Sequence, residues 1–152
     1  MTTYSHWDVL MASPSNPISE ERKRHQLTRM HEGLEALEKS PKPTLDDWQV
    51  VADAINMMEM FVEMGVAQDP DDLLEDAMDA MQKAGHRSIG GDKPIRLDGC
   101  HITTIRGMLE DYETILSELP ERTVIAAHRQ AEKRLVKILS GKPGKRDRAV
   151  TK

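Results

Sequence analysis

Residues 45–65 read LDDWQVVADAINMMEMFVEMG. Trp48, Val51, Ala52, Ile55, Met58, Phe61 and Val62 recur at helical spacing with Met57, Met60 and Met64 beside them, so apolar side chains cover most of the circumference. Gln49, Asp53, Asn56 and Glu63 form a narrow polar stripe. Such a helix has to be covered on nearly every side, which predicts a central helix with the rest of the chain packed around it. Thr44, with Asp47 three residues later, is a capping-box start, and Gly65 is a left-handed stop. Asp53, Asn56, Glu59 and Glu63 interrupt the run, which excludes a membrane span.

On the N-terminal side, Leu27, Met30, Leu34 and Leu37 form one apolar stripe. Asn16 as cap and Pro17 at the first position predict where that helix opens, and Pro41 and Pro43 stop it. Residues 1–16 show no clear period and are expected to form an arm docking through Trp7 and Leu10. On the C-terminal side, Asp69 and Pro70 open a helix with Leu73, Leu74, Ala77, Met78 and Met81 on one face, ending at Gly85. Residues 86–99, HRSIGGDKPIRLDG, read as an irregular loop with a short extended piece at 95–97. Ile102, Ile105, Leu109, Tyr112, Leu116 and Leu119 then mark a helix, and Pro120 starts another, with Val124, Ile125, His128, Ala131, Leu135, Ile138 and Leu139 as its stripe. With so little chain between them, these two are expected to pair as an antiparallel hairpin whose seam includes Leu109, Tyr112, Val124 and His128. The fold class is all-α: a compact bundle of about five helices in one domain over 1–141. Residues 142–152, with five bases against Asp147 and no anchoring residue except Val150, are expected to be a flexible basic tail.

A chain of 152 residues buries roughly two thirds of its unfolded surface and needs no staple. Cys100 is the one cysteine, so no intramolecular disulfide forms, and a lone thiol fits a reducing compartment. The opening MTTYSHWDVLMASPSNP lacks the basic-then-apolar order of a signal peptide, and a cytoplasmic location is expected. Net charge is −1 over residues 1–39, −11 over 40–119 and +7 over 120–152. A chain polarised in this way can pair its two regions internally or offer an acidic and a basic surface to different partners.

Signatures of catalysis and of ligand binding fail on inspection. G-x-S-x-G, G-x-G-x-x-G, H-E-x-x-H and C-x-x-C are missing, and Gly141-Lys-Pro-Gly has the wrong spacing for a phosphate loop. No Glu has a His three residues on, as a helical carboxylate metal site needs. Asp69, Asp71 and Asp72 lack the Gly and Glu of a calcium loop and suit a helix start instead. Cys100 and His101 are adjacent on a helix and point about 100° apart, which disfavours joint chelation. His128 lies in an apolar stripe with Glu132 one turn on; it reads as a core histidine facing Tyr112, with a general base or half a metal site as the alternative. Neither a cofactor nor a metal is expected, and the chain is not expected to be an enzyme.

Two charged rows remain as candidate binding faces. Asp71, Asp72, Glu75, Asp76 and Asp79 form an acidic face, and Arg122, Arg129, Lys133, Arg134 and Lys137 a basic one. The string IRGMLEDYETILSELPERTVIAAHRQAEKRL over 105–135, preceded by PIRLDG, resembles the C-terminal half of small uncharacterised helical proteins of bacteriophages, prophages and mobile elements of proteobacteria. WQVVADAINMMEMFVEMG at 48–65 adds to that resemblance. It implies a phage-type accessory protein that binds a host or viral protein, and assigns no role to any residue. The expectation is a non-enzymatic protein-binding protein, with a nucleic-acid-associated protein using the basic helix and tail as the alternative. A homodimer through Met57, Met60 and Met64 is expected as well.

Overall fold

The structure, a computed structural model, describes residues 4–69, 72–89, 94–141 and 148–151. Among them are six helices and no strand: α1 (His6–Met11), α2 (Glu20–Lys39), α3 (Leu45–Glu63), α4 (Leu73–Ile89), α5 (Gly99–Glu118) and α6 (Glu121–Leu139). The all-α bundle is the class the sequence predicts.

α3 is the axis. Its first turn is closed by the expected capping box: Asp47 N–H donates to Thr44 Oγ1 at 3.1 Å and Thr44 N–H to Asp47 Oδ2 at 2.9 Å. Its end is a Schellman closure, in which Gly65 N–H donates to Val62 O and Val66 N–H to Phe61 O, with Gly65 at φ +75°. Between these ends α3 packs against α2, α4, α5 and α6. Trp48, Val51, Ala52, Ile55, Met58 and Phe61 are buried outright, and so are Met57 and Met60, while Met64 is partly covered. The methionine surface expected to bind a second copy is therefore already covered by the chain's own helices. Exposed apolar side chains lie elsewhere, at Trp7 and Met11 on α1 and at Val136 and Leu139 on α6.

The expected hairpin does not form. α5 packs against α2, α3 and α4, whereas α6 packs against α3 and α1. Leu119 and Pro120, both with extended ψ, separate the two helices and turn the chain away. Ile105, Leu109, Tyr112 and Leu116 are buried as their stripe requires, but their neighbours are the earlier helices. Because α3 is apolar nearly all round, α6 gains more by covering a free side of α3 than by lying on α5.

Residues 4–16 of the arm are docked too, though not through the residues expected. Residues 6–11 form α1, and Trp7 and Leu10 stay 72% and 46% exposed. Docking runs through polar contacts at the start of α6: Glu121 N–H donates to Asn16 O at 2.8 Å and Arg122 N–H to Ser13 O at 3.0 Å. Pro120 offers no side-chain cap, so carbonyls of the arm satisfy those first-turn donors. With the Asn16 carbonyl committed to α6, α2 opens four residues later, where Ser19 Oγ accepts from Arg22 N–H.

α4 opens at Leu73 rather than at Asp69, whose Oδ2 accepts from Leu74 N–H; Pro70 lies outside the described residues. It also continues past Gly85, which is a packing glycine. A Cβ there would lie 2.8 Å from Trp48 Cζ2, and the same indole donates its N–H to Met81 O at 2.9 Å. We predict that Gly85→Ala costs about 1–3 kcal/mol by overpacking the Trp48 slot. Gly107→Ala in α5, where a Cβ meets nothing within 4 Å, should add about 0.5–1 kcal/mol of stability. Urea unfolding of both variants checks the pair; opposite signs are the expected outcome.

Candidate functional site

Beside the polar stripe of α3, in which Asp53 and Glu63 are exposed and Gln49 and Asn56 half-buried, lies a buried carboxylate. Glu59, one turn beyond Asn56, is only 5% exposed, and two arginines meet it. Arg134 from α6, itself 9% exposed, brings Nη1 to 3.8 Å from Glu59 Oε1 and Nη2 to 3.5 Å from Glu63 Oε1. Arg148 grips the same carboxylate with two donors, Nε to Oε1 at 2.5 Å and Nη2 to Oε2 at 2.9 Å. Those hydrogen bonds hold the Arg148 guanidinium further above its ordinary pKa against the opposing cost of burial; the charges of Glu59, Glu75 and Asp69 add to the effect.

Residues 148–151 follow this anchor along α3 and α4. Val150 N–H donates to Asn56 Oδ1 at 2.6 Å and Val150 O accepts from Asn56 Nδ2 at 3.1 Å. Thr151 N–H donates to Gln82 Oε1 at 3.0 Å, and Thr151 O accepts from Gln82 Nε2 at 3.0 Å. Val150 is 2% exposed and belongs to the core. Val150, the one anchoring residue the sequence offers in the tail, is seated here, and Arg148 and Thr151 make contacts the sequence did not announce; residues 142–147 and 152 lie outside the described ones. Asn56 and Gln82 are the residues that sequence reasoning missed. In the sequence Asn56 is only one member of the polar stripe and Gln82 one polar residue of its helix, and neither names a partner.

A cavity of about 390 Å3 opens beside this segment, and a second of about 250 Å3 adjoins it; both are bordered by Gln26, Asp53, Met57 and His128. The His128 ring leans on Tyr4, with centroids 5.5 Å apart and planes tilted by 52°. Tyr112, expected as its hydrogen-bond partner, stacks instead on Phe61 at 6.2 Å, and its burial pushes its pKa well up. Burial, with the positive charge of Arg22 behind it, lowers the pKa of His128 and favours the neutral imidazole. Among the described residues no three His, Cys, Asp or Glu side chains are placed to share an ion.

The two charged rows fare differently. Glu75, Asp76 and Asp79 lie exposed on α4, Asp72 is exposed just before its first residue, and Asp71 falls outside the described residues. The basic row is dispersed. Arg122 is used internally, its Nε donating to Val9 O at 3.1 Å and its Nη2 to Leu10 O at 2.9 Å at the end of α1. Arg134 is buried against Glu59 and Glu63, Arg129 is half-buried, and Lys133 and Lys137 are exposed. No family model, curated protein or solved structure matches the chain.

Two outcomes follow. Glu59→Gln removes the charge that compensates two arginines, and we predict a loss of about 3 kcal/mol, at the low end for a buried pair because Glu63 still faces Arg134. Chemical denaturation measures it. His128 has a folded pKa below its unfolded value, so the unfolded chain takes up the proton first as pH falls. Its contribution is complete above about pH 6.5 and is lost below that. The melting midpoint should therefore fall between about pH 7.5 and pH 5.5, and less steeply in His128→Phe.

Proposed function

We propose that this chain is a non-enzymatic protein-binding protein that receives a basic partner on the acidic face of α4, as an accessory factor of the kind its phage-type resemblance implies. One observation carries the reading: Glu75, Asp76 and Asp79 lie exposed along α4, with Asp72 exposed just before it, and form no ion pair with a described residue, whereas much of the basic row is consumed inside the fold. Closely spaced like charges on a helix cost stability, and an oppositely charged surface relieves them. The chain's own Arg148 already feels Glu75 and Asp69 in this way. For nucleic acid the described residues of the basic row leave Lys133, Lys137 and the half-buried Arg129, a small footprint for phosphate contacts on α6; Lys142, Lys145, Arg146 and Lys152 of the tail lie outside the described residues.

Quantitative affinity capture from native cells tests the reading with three baits: the wild type, Glu75→Lys/Asp76→Lys/Asp79→Lys, and Lys133→Glu/Lys137→Glu. The expected partner is recovered by the first and third baits and falls by about ten-fold with the second, a loss of about 1.4 kcal/mol. Recovery that follows the α6 substitutions instead, or duplex DNA retarded by the wild type with a steep salt dependence, contradicts it.

A further inference from the structure

We propose that the groove formed by Asn56 and Glu59 of α3 and Gln82 of α4 is a peptide-binding site for a partner segment of the form Arg-x-Val-x, and that residues 148–151 of this chain occupy it in cis. This deepens the protein-binding reading and rests on it. The contacts are those of peptide recognition. Asn56 engages both the N–H and the C=O of Val150, and Gln82 does the same for Thr151, so each carboxamide stands where a neighbouring strand would stand in a ladder. Contacts of this kind read main chain and ignore side-chain identity. Main-chain groups met from outside in this way have no helical partner, which defines an extended ligand.

Side-chain selection comes from alternate positions, as in other extended ligands. Glu59 takes the guanidinium of Arg148 through two parallel hydrogen bonds, a fork that Lys cannot match. Val150, two residues on, enters the apolar core, while the intervening Ala149 borders the larger cavity and meets no comparable demand. Glu75 and Asp69 extend the negative field beyond Glu59, so the groove favours basic segments before contact is made.

The occupant is held in a manner that permits exchange. Every polar contact of residues 148–151 with the groove is made by a side chain, and the Arg148 side chain remains 47% exposed. Elements joined by few such contacts open well below the global unfolding free energy. A cis segment competes at the effective concentration set by its tether, so a partner presenting the same pattern must displace it, and weakening the cis contacts should raise the affinity seen in trans.

The test is fluorescence anisotropy with a dye-labelled RDRAVTK peptide, the sequence of residues 146–152, titrated with the full chain. Three proteins are compared: the wild type, Arg148→Ala, and Arg148→Ala/Val150→Ser, each checked for retained helix by circular dichroism. Arg148→Ala removes only the half-exposed anchor and keeps the test readable if the double variant unfolds. The expected result is binding to an opened variant at least about ten-fold tighter than to the wild type. Binding should be lost with an RDAAVTK peptide and weakened by adding Gln82→Ala. No binding by a folded opened variant, or equal affinity for wild type and variant, overturns the proposal. A wild type of twice the monomer mass that reverts to monomer with Arg148→Ala would assign the groove to a second copy and overturn it also. If the peptide fails while partner capture still depends on Glu75, Asp76 and Asp79, the groove is wrong and the α4 face stands; if both fail, the protein-binding reading falls with it.

Discussion

The complete burial of Trp48 constrains everything around it. Its indole N–H must find an acceptor away from water, and Met81 O supplies one at 2.9 Å, which fixes α4 against the first turns of α3. The ring plane then needs a face without a side chain, and Gly85 provides it one turn further along α4. A second close approach has the same character: a Cβ on Gly33 would lie 2.5 Å from Val50 Cγ2 and 2.8 Å from Asp47 O, so α2 lies nearly in contact with the α3 backbone. With α2 and α4 set on either side, the remaining apolar surface of α3 is left for α5 and α6.

A buried carboxylate organises the other half of the molecule. Glu59 is buried between Met58 and Met60, and leaving its charge uncompensated would be costly. Arg134 and Arg148 answer it from two different parts of the chain. The charge polarity along the sequence, acidic in the middle and basic at the end, is therefore partly resolved inside the fold, through Glu59, Glu63 and their arginines. What is not resolved inside is the exposed row on α4. That difference separates charge used inside the fold from charge left at the surface.

How much of this was legible in the sequence depends on whether a feature is local. Thr44 with Asp47 and the Gly65 stop are local chemistry, and α3 has the ends they imply. The stripes on α2 and α5 identify the buried faces, because periodicity needs only the helix itself, whereas on α6 the stripe is buried at Val124 and Ile125 but Leu139 is exposed and Arg134, from the expected basic row, is buried. Partners are another matter. Nothing in Ile105, Leu109 or Val124 says which apolar surface will meet them, so adjacency in sequence suggested a hairpin that the all-round demand of α3 overrides. Gly85 looked like a helix end because the ring it accommodates lies 37 positions away at Trp48. Asn16 looked like a cap because the helix that claims its carbonyl begins more than a hundred residues later. Asn56 and Gln82 became significant only when the chain returned to them at Val150 and Thr151.

The central claim is that the fold is organised by α3, with residues 148–151 attached to it as an exchangeable layer. Native-state hydrogen exchange read residue by residue in denaturant tests this most directly. The account predicts that the amides of α3 from Val51 to Phe61 exchange only through global unfolding, whereas the Val150 and Thr151 amides, bonded to side chains alone, exchange through an opening of much lower free energy. Val150 and Thr151 protected to the global limit, or α3 opening before α5 and α6, would contradict it.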